Sequence, residues 1–358
     1  MHAEVRQHSQ QQQRRQGYEV VACGLGFPCA ARVVTWREEG GLDGYRAPEP
    51  HTNGEHAQTF GRRREGGQEV EALPSGRECR VLCEERKHEA LRVLRQRVQQ
   101  MVLHYDGCGT AQRCFRVLHD ERRLSAHFIV DVDGTIYQTL DAVERAWHAT
   151  VANDASVGVE IANAGAWPRS EEERKEGRLP ARLQAWYERS SSSSGEGDDR
   201  YRLLMPPGEV PACASLPPFE PPEQLALCHG EVHGTPLVQV AFTEAQVGAL
   251  AALGAALQTA LPLLSAEFPR DPSGKPSWRQ LEAQALKAHR GMLGHFHVQT
   301  NKVDPGPALP WCRVASLWRT AYDALLEGAS VTAAEATALH VENTSCDEEG
   351  GDENCTMP

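Results

Sequence analysis

The segment at positions 295–307 holds the residue types best suited to chemistry in this chain. Two imidazoles, His295 and His297, are followed by an ammonium, Lys302, and a carboxylate, Asp304. The proline and glycine residues after Asp304 indicate a loop. Because loops held by a rigid scaffold often carry catalytic and binding groups, we expect this segment to form part of a functional site.

A metal centre is one chemistry that these residues could support. A catalytic zinc site uses three protein ligands drawn from His, Asp, Glu or Cys and leaves one position open for water. His295 and Asp304 could supply two ligands, and His104, at the end of an apolar segment, could supply the third. Each histidine considered alone is more often an ordinary core or surface residue, so the residue types by themselves leave the metal site open.

A single carboxylate, Glu160, interrupts the apolar run at 157–162. Sealing an unpaired charge in a core is costly, which favours a position that faces a groove. In a groove, Glu160 could move protons as a general base and acid. The alternative is a structural carboxylate at a strand end, paired with a cation such as Arg145.

Hydrophobic patterning predicts the strands that would hold these residues. The apolar segment 101–104 is typical of a buried strand and delivers His104 to a loop. Further strands are predicted at 127–132 and 156–162, and Asp133-Gly134 predicts a hairpin turn after the first of these two. The pattern therefore predicts a sheet whose strands carry candidate site residues.

Helical patterns occur on both sides of these strands in the sequence. A charged helix is predicted at 84–99. Thr243 and Gln246 form a capping box, and the helix that follows places apolar residues on one face. A last amphipathic helix is predicted at 314–326. We expect these helices to pack on the sheet.

Several short motifs occur together in one order along the chain: VLH at 102–104, SAHF at 125–128, DGTI at 133–136, RAWHA at 145–149, SVGVE at 156–160, GH at 294–295 and KVDPGP at 302–307. In these motifs and in their order, the chain resembles the type 2 zinc-dependent N-acetylmuramoyl-L-alanine amidases. The same fold is used by peptidoglycan recognition proteins. The resemblance implies an α/β fold with a central mixed β-sheet flanked by helices and a metal in a surface groove.

Carried over position by position, the resemblance implies one zinc ion held by His104, His295 and Asp304. It makes Glu160 the general base and Lys302 the partner of the developing oxyanion. Zinc activates water and polarises a carbonyl, which agrees with these roles. The implied reaction is hydrolysis of the amide bond between N-acetylmuramic acid and L-alanine in peptidoglycan or muropeptides.

The resemblance also suggests substrate-binding residues, namely Trp147, His148 and Asn163. Relatives of the recognition-protein and phage type carry a tyrosine where Ala126 stands in this chain. The chain therefore aligns better with the branch that uses a glutamate, represented by Glu160. This departure changes the proton-transfer group and keeps the metal chemistry.

Two details stay open at this point. His297 competes with His295 as a ligand; His295 is preferred because it follows a glycine as the family's ligand does, although its gap to Asp304 is one residue shorter than in some relatives. Cys108 and Cys114 resemble in spacing a disulfide of the recognition-protein branch, and free thiols are the alternative.

Composition argues against several partners. The net charge of −12 offers no general attraction to nucleic acid or to an anionic membrane. The chain has no apolar run of about 18 residues or more and no secretory signal pattern, so we expect no membrane insertion and a cytoplasmic location by default.

The 11 irregularly spaced cysteines indicate mostly reduced thiols. We expect a monomer that binds peptidoglycan or a muropeptide.

The sequence divides into three predicted parts. Residues 1–28 are rich in Gln and Arg and are predicted to be disordered, and residues 330–358 form an acidic disordered tail. The zinc amidase domain is predicted at 29–329, with an N-terminal decoration and a flexible insertion at about 168–222.

Two functions other than catalysis are alternatives to hydrolysis. One is a recognition-type protein that binds muropeptides without cutting them; such proteins typically lose a metal ligand, and none is missing from this sequence. The other is a metal-free interaction protein, which would show scattered substitutions at the candidate positions. The complete set of candidate residues favours the enzyme.

Overall fold

The computed structural model describes residues 17–48, 59–62, 69–72, 78–81, 84–190, 200–205 and 224–327. Its strands are β1 (Tyr18–Ala22), β2 (Leu25–Cys29), β3 (Val33–Thr35), β4 (Phe60–Arg62), β5 (Glu69–Ala72), β6 (Glu78–Val81), β7 (Gln100–Tyr105), β8 (Phe128–Val130), β9 (Ile136–Gln138), β10 (Glu144–Ala146), β11 (Ser156–Ile161), β12 (Tyr187–Arg189), β13 (Arg200–Leu203), β14 (Leu225–Val232), β15 (Thr235–Val240) and β16 (Gly291–Gly294). Its α-helices are α1 (Glu84–Arg95), α2 (Ala111–Phe115), α3 (Glu171–Lys175), α4 (Ala181–Gln184), α5 (Glu244–Ala260), α6 (Ala283–Ala288), α7 (His295–Val298) and α8 (Trp311–Leu326).

A six-stranded mixed sheet in the order β16-β7-β11-β8-β9-β3 forms the centre of the fold. β7 pairs in parallel with both β16 and β11, and β11 pairs in parallel with β8. β8 and β9 form an antiparallel hairpin. Helices flank this sheet, so the expected α/β fold with a central mixed sheet is confirmed.

The predicted core strands are present as β7, β8 and β11. β8 and β11 are buried along their length and β7 is buried except at Tyr105, which explains why most of their residues are apolar. The Asp133-Gly134 hairpin signal is confirmed as well. Gly134 has a φ of +81°, a conformation that glycine adopts without strain, and its N–H donates to Asp131 O.

Helix α5 begins with the predicted capping box. Thr243 Oγ1 accepts from the Gln246 N–H at 3.0 Å, and Gln246 Oε1 accepts from the Thr243 N–H at 2.9 Å. The helix is buried beyond the predicted apolar face, because alanines around most of it are also buried. Helix α8 packs on one side of α5, and the β1–β2 hairpin packs on another.

The β1–β2 hairpin corrects the prediction that residues 1–28 are disordered. Residues 18–28 form two antiparallel strands joined at Cys23-Gly24, and residues 1–16 lie outside the described residues. Both carboxylate oxygens of Asp141 accept from this turn, from the Cys23 N–H and the Gly24 N–H, each at 2.7 Å. The hairpin is ordered because its apolar side chains pack into the same core as α5.

The predicted insertion at 168–222 also contains regular structure. Its described residues include α3, α4, β12 and β13, and the two strands continue an antiparallel sheet in the order β12-β13-β14-β15. Regular elements and their connections therefore occupy 168–190 and 200–205. Residues 191–199 and 206–222, and the predicted tail at 330–358, lie outside the described residues.

No helix among the described residues combines the length and apolar character needed to cross a membrane.

The packing of α5 on α8 predicts opposite effects for two glycine substitutions in one helix. A Cβ at Gly254 would lie 2.3 Å from the ring of Trp318, whereas a Cβ at Gly248 would meet nothing within 4 Å. We expect Gly254→Ala to destabilise the protein by roughly 1–3 kcal/mol through overpacking. Gly248→Ala should stabilise it by roughly 0.5–1 kcal/mol. Denaturant unfolding measures the free energy of unfolding of both variants. A change of the same sign in the two would contradict this packing.

Candidate metal centre

Three candidate ligands converge at the carboxyl end of the sheet. His104 lies near the end of β7, His295 follows β16 at the start of α7, and Asp304 lies in the loop after α7. Oδ2 of Asp304 is 2.8 Å from Nδ1 of His104 and 3.0 Å from Nδ1 of His295. Both imidazoles therefore direct the same ring nitrogen toward one carboxylate oxygen.

The outer nitrogen of each imidazole has a partner of its own. Nε2 of His104 lies 3.1 Å from Nδ1 of His148, and Nε2 of His295 lies 2.8 Å from Oε1 of Gln299. Partners on the far nitrogen of a histidine ligand fix the orientation of its ring. Both rings are thus held with Nδ1 toward the centre of the cluster.

The charge states of the cluster suit metal binding. Burial, with the neighbouring charge of His295, lowers the pKa of His104 to about 4. Burial alone would raise the pKa of Asp304, but its contacts with His104 and His295 outweigh burial and hold that pKa below its usual range. His104 is therefore neutral and Asp304 is anionic near neutral pH, which are the forms that bind a metal.

The donor set fits a zinc ion. One ligand atom from each of His104, His295 and Asp304 lies within 4.8 Å of the other two. Two imidazole nitrogens and one carboxylate oxygen form a ligand set typical of catalytic zinc, and three protein ligands leave a position open. These three residues could therefore hold one zinc ion.

Glu160 lies beside this cluster. It is directly opposite His104 in the parallel pairing of β11 with β7, and it is 7% exposed. Burial and then the negative charge of Asp304 raise the pKa of Glu160 well above its ordinary value. A carboxylate with a raised pKa is a stronger base, as general acid–base chemistry near neutral pH requires.

The alternative role for Glu160, an ion pair with Arg145, is contradicted. The Arg145 Nε–H donates to Oδ1 of Asp154 at 2.5 Å. The two cations whose charge lowers the pKa of Glu160 are Arg122 and Lys302. Lys302 is half-buried in the loop that carries Asp304, so its ammonium acts on the same site as the three ligands.

His297 occupies a different place from His295. Its Nδ1 accepts from the Gly294 N–H at 2.8 Å, and its Nε2 donates to Ser277 O at 2.8 Å. Burial lowers the pKa of His297 to about 3, so the ring is neutral. Both ring nitrogens are engaged with backbone groups, and the geometry therefore favours His295 over His297 as the ligand.

The predicted substrate-binding residues divide into three cases. The amide of Asn163 is buried and bonds to Val240 O, the Gly165 N–H and Gln239, and its role in binding substrate remains a prediction. His148 contacts His104, as described above. Trp147 is half-buried, and its role remains a prediction.

Asp106 is a residue of the site region to which the sequence assigned no role. Its Oδ1 accepts from the backbone N–H groups of Cys108, Gly109 and Asn163, which ties the loop after β7 to the segment after β11. Burial raises the pKa of Asp106 to about 7. Its position just before a Gly-rich turn was an available signal, because aspartate commonly accepts from the backbone two residues onward.

Cys108 and Cys114 are both free and buried, so the family-type disulfide is absent. Burial raises the pKa of Cys108 to about 12 and that of Cys114 well above its ordinary value. Both thiols are therefore protonated near neutral pH and are poor nucleophiles.

Residues 94–191 match the model of a family described as N-acetylmuramoyl-L-alanine amidase. This part of the chain is therefore similar to that amidase family, which supports the expected class of enzyme. The matched residues include His104, His148 and Glu160. His295, Lys302 and Asp304 lie beyond the matched range, and the fold brings them to it.

Two solved structures are similar to this chain. A selenomethionine derivative of AmpD is 18% identical, with 64% of this chain and 87% of that chain covered and a TM-score of 0.28. The N-acetylmuramyl-L-alanine amidase AmiD from E. coli, in complex with the substrate anhydro-N-acetylmuramic acid-L-Ala-D-γ-Glu-L-Lys, is 17% identical, with 61% and 56% covered and a TM-score of 0.32. At these TM-scores neither superposition transfers a residue role. No curated protein sequence matches the chain.

The different positions of His295 and His297 predict that substitutions of these two residues affect zinc content differently. We expect His295→Ala to weaken zinc binding by more than the roughly 10–100-fold typical for loss of a ligand's outer partner. His297→Asn keeps an acceptor for the Gly294 N–H, so it should retain zinc while losing about 1–3 kcal/mol of stability. Metal analysis after dialysis and thermal unfolding measure the two effects. Full zinc content in His295→Ala would exclude His295 as a ligand.

Proposed function

We propose that this protein hydrolyses the amide bond between N-acetylmuramic acid and L-alanine in peptidoglycan or muropeptides, using one zinc ion held by His104, His295 and Asp304. The observation that carries the proposal is the convergence of these three ligand atoms beside the buried carboxyl of Glu160. The family match over residues 94–191 supports the choice of bond.

A zinc ion at this site would polarise the scissile carbonyl and activate a water molecule. The side chains of the protein define where this chemistry occurs. His104 and His295 are buried and held from their outer nitrogens, so the ligand set is rigid. A preorganised set of ligands keeps the substrate carbonyl and the attacking water in a fixed relation.

Glu160 moves the proton in the proposed reaction. The oxygen of water adds to the carbonyl carbon of the lactyl group while Glu160 accepts a proton from that water. The carbon–nitrogen bond then breaks, and Glu160 returns the proton to the departing amine of L-alanine. The raised pKa of Glu160 suits both halves of this cycle, because the group must first bind the proton and then release it.

Lys302 stabilises the charge that develops on the carbonyl oxygen during attack. Its ammonium lies in the same loop as Asp304 and acts electrostatically on Glu160. A fixed cation in a site with little water stabilises an oxyanion more strongly than the same cation in bulk water. The positive charge of Lys302 is therefore most useful at the transition state.

The role of Glu160 predicts a loss of rate without a loss of metal. We expect Glu160→Gln to lower kcat by about 10²–10⁴-fold while zinc content stays unchanged. The measurement is release of stem peptide with a free L-alanine amine from a muramoyl-peptide. Chelation should abolish activity in the unmodified protein, and added zinc should restore it. Tight muropeptide binding without cleavage by the zinc-loaded protein would contradict the proposed hydrolysis.

The role of Lys302 predicts a second effect on kcat. We expect Lys302→Met to lower kcat by about 10²–10³-fold, with KM little changed, since the charge acts mainly on the transition state. The matched control is Lys175→Met, because Lys175 is an exposed lysine that pairs with Glu171 on α3. The control should keep full activity, and an equal loss in both variants would remove the oxyanion role.

A further inference from the structure

A chain of side-chain contacts leads from His104 to the protein backbone. Nε2 of His104 lies 3.1 Å from Nδ1 of His148. Nε2 of His148 lies 3.2 Å from Oγ of Ser156, and that hydroxyl donates to Ala152 O at 2.7 Å. His148 therefore stands between a candidate ligand and a fixed backbone carbonyl.

The direction of each hydrogen bond in this series of contacts follows from the carbonyl group of Ala152 at its far end. A carbonyl oxygen cannot donate, so the single hydroxyl hydrogen of Ser156 points to Ala152 O. Oγ of Ser156 then accepts from the Nε2–H of His148, which leaves Nδ1 of His148 as an acceptor. That nitrogen in turn accepts from the Nε2–H of His104.

In the zinc-loaded site, these contacts favour one tautomer of His104, with hydrogen on Nε2 and a lone pair on Nδ1. That lone pair faces Oδ2 of Asp304 at 2.8 Å. Two acceptors directed at one point are stabilised by a cation that binds both. The contacts made by Ser156 and His148 therefore prepare Nδ1 of His104 for a metal.

We propose that His148, anchored by Ser156, is a positioning residue that fixes His104 in its zinc-binding tautomer and orientation, and that it does not act as a substrate-binding residue. The proposal rests on the proposed zinc-dependent function. Both ring nitrogens of His148 are engaged inside the protein, so neither is directed to a substrate.

The surroundings of His148 hold its ring firmly in place. The His148 and Ala149 N–H groups both donate to Oδ1 of Asn153, at 3.3 and 2.7 Å. The ring lies against Gly158 of β11, where a Cβ would come within 2.5 Å of it. Only glycine at position 158 leaves room for this ring. The backbone and β11 thus set the position of His148 independently of any ligand.

The test compares variants that break the chain of contacts at different points. Ser156→Ala removes the anchor, His148→Leu removes the acceptor for His104, and His148→Asn keeps an oxygen near the place of Nδ1. The control is Thr139→Val. This substitution removes another buried hydroxyl, which donates to Ala126 O and takes no part in the contacts between His104 and Ala152. Zinc affinity is measured by competition with a chromogenic chelator, and KM and kcat are measured at saturating zinc.

We expect Ser156→Ala and His148→Leu to weaken zinc binding by about 10–100-fold, the usual effect of losing a ligand's outer partner. His148→Asn should recover most of that loss, and Thr139→Val should bind zinc normally. KM at saturating zinc should not change in any variant. A raised KM with unchanged zinc affinity in the His148 variants would overturn the proposal and return His148 to substrate binding.

Nitrogen-15 NMR of the histidine rings in the zinc-loaded, unsubstituted protein tests the tautomer without relying on a variant that folds. We expect His104 to carry hydrogen on Nε2, and hydrogen on Nδ1 would overturn the proposal. If the unsubstituted protein binds no zinc, the proposed function fails. If it binds zinc and Ser156→Ala binds it equally well, only the positioning role fails.

Discussion

The parallel pairing of β7 with β16 on one side and β11 on the other determines where the site can form. Parallel strands end at the same edge of a sheet, and ligands of open α/β folds bind at that edge. His104, Glu160 and His295 come from distant parts of the sequence, yet each lies at or just beyond the carboxyl end of one of these strands. A change of register in either pairing would separate Glu160 from the candidate metal ligands.

Asp304 is the electrostatic counterpart of that geometry. Its carboxylate contacts both histidines and also raises the pKa of Glu160. One partly buried negative charge thus contacts both candidate histidine ligands and makes the neighbouring carboxyl more basic. A buried charge is tolerated only where it is paired, which explains why the strongest interactions of the site concentrate on this residue.

The sequence predicted the core strands well, because β7, β8 and β11 are buried almost throughout and most of their residues are apolar. The ligand set came from the order of motifs, since spacing alone could not choose between His295 and His297. That choice depends on which ring reaches Asp304 in three dimensions. The β1–β2 hairpin was missed because its Gln- and Arg-rich neighbours dominated the composition. Ser156 carries no charge or motif that marks a contact with His148.

Both ends of the described chain pack on the same element, α5, with the β1–β2 hairpin on one side and α8 on another. The helix itself is rich in alanine and buried nearly all round, so it contributes little polar surface of its own. Loss of either covering element would expose the same apolar helix to water. The first and last described elements therefore depend on one helix, and a change in α5 would affect the packing of both.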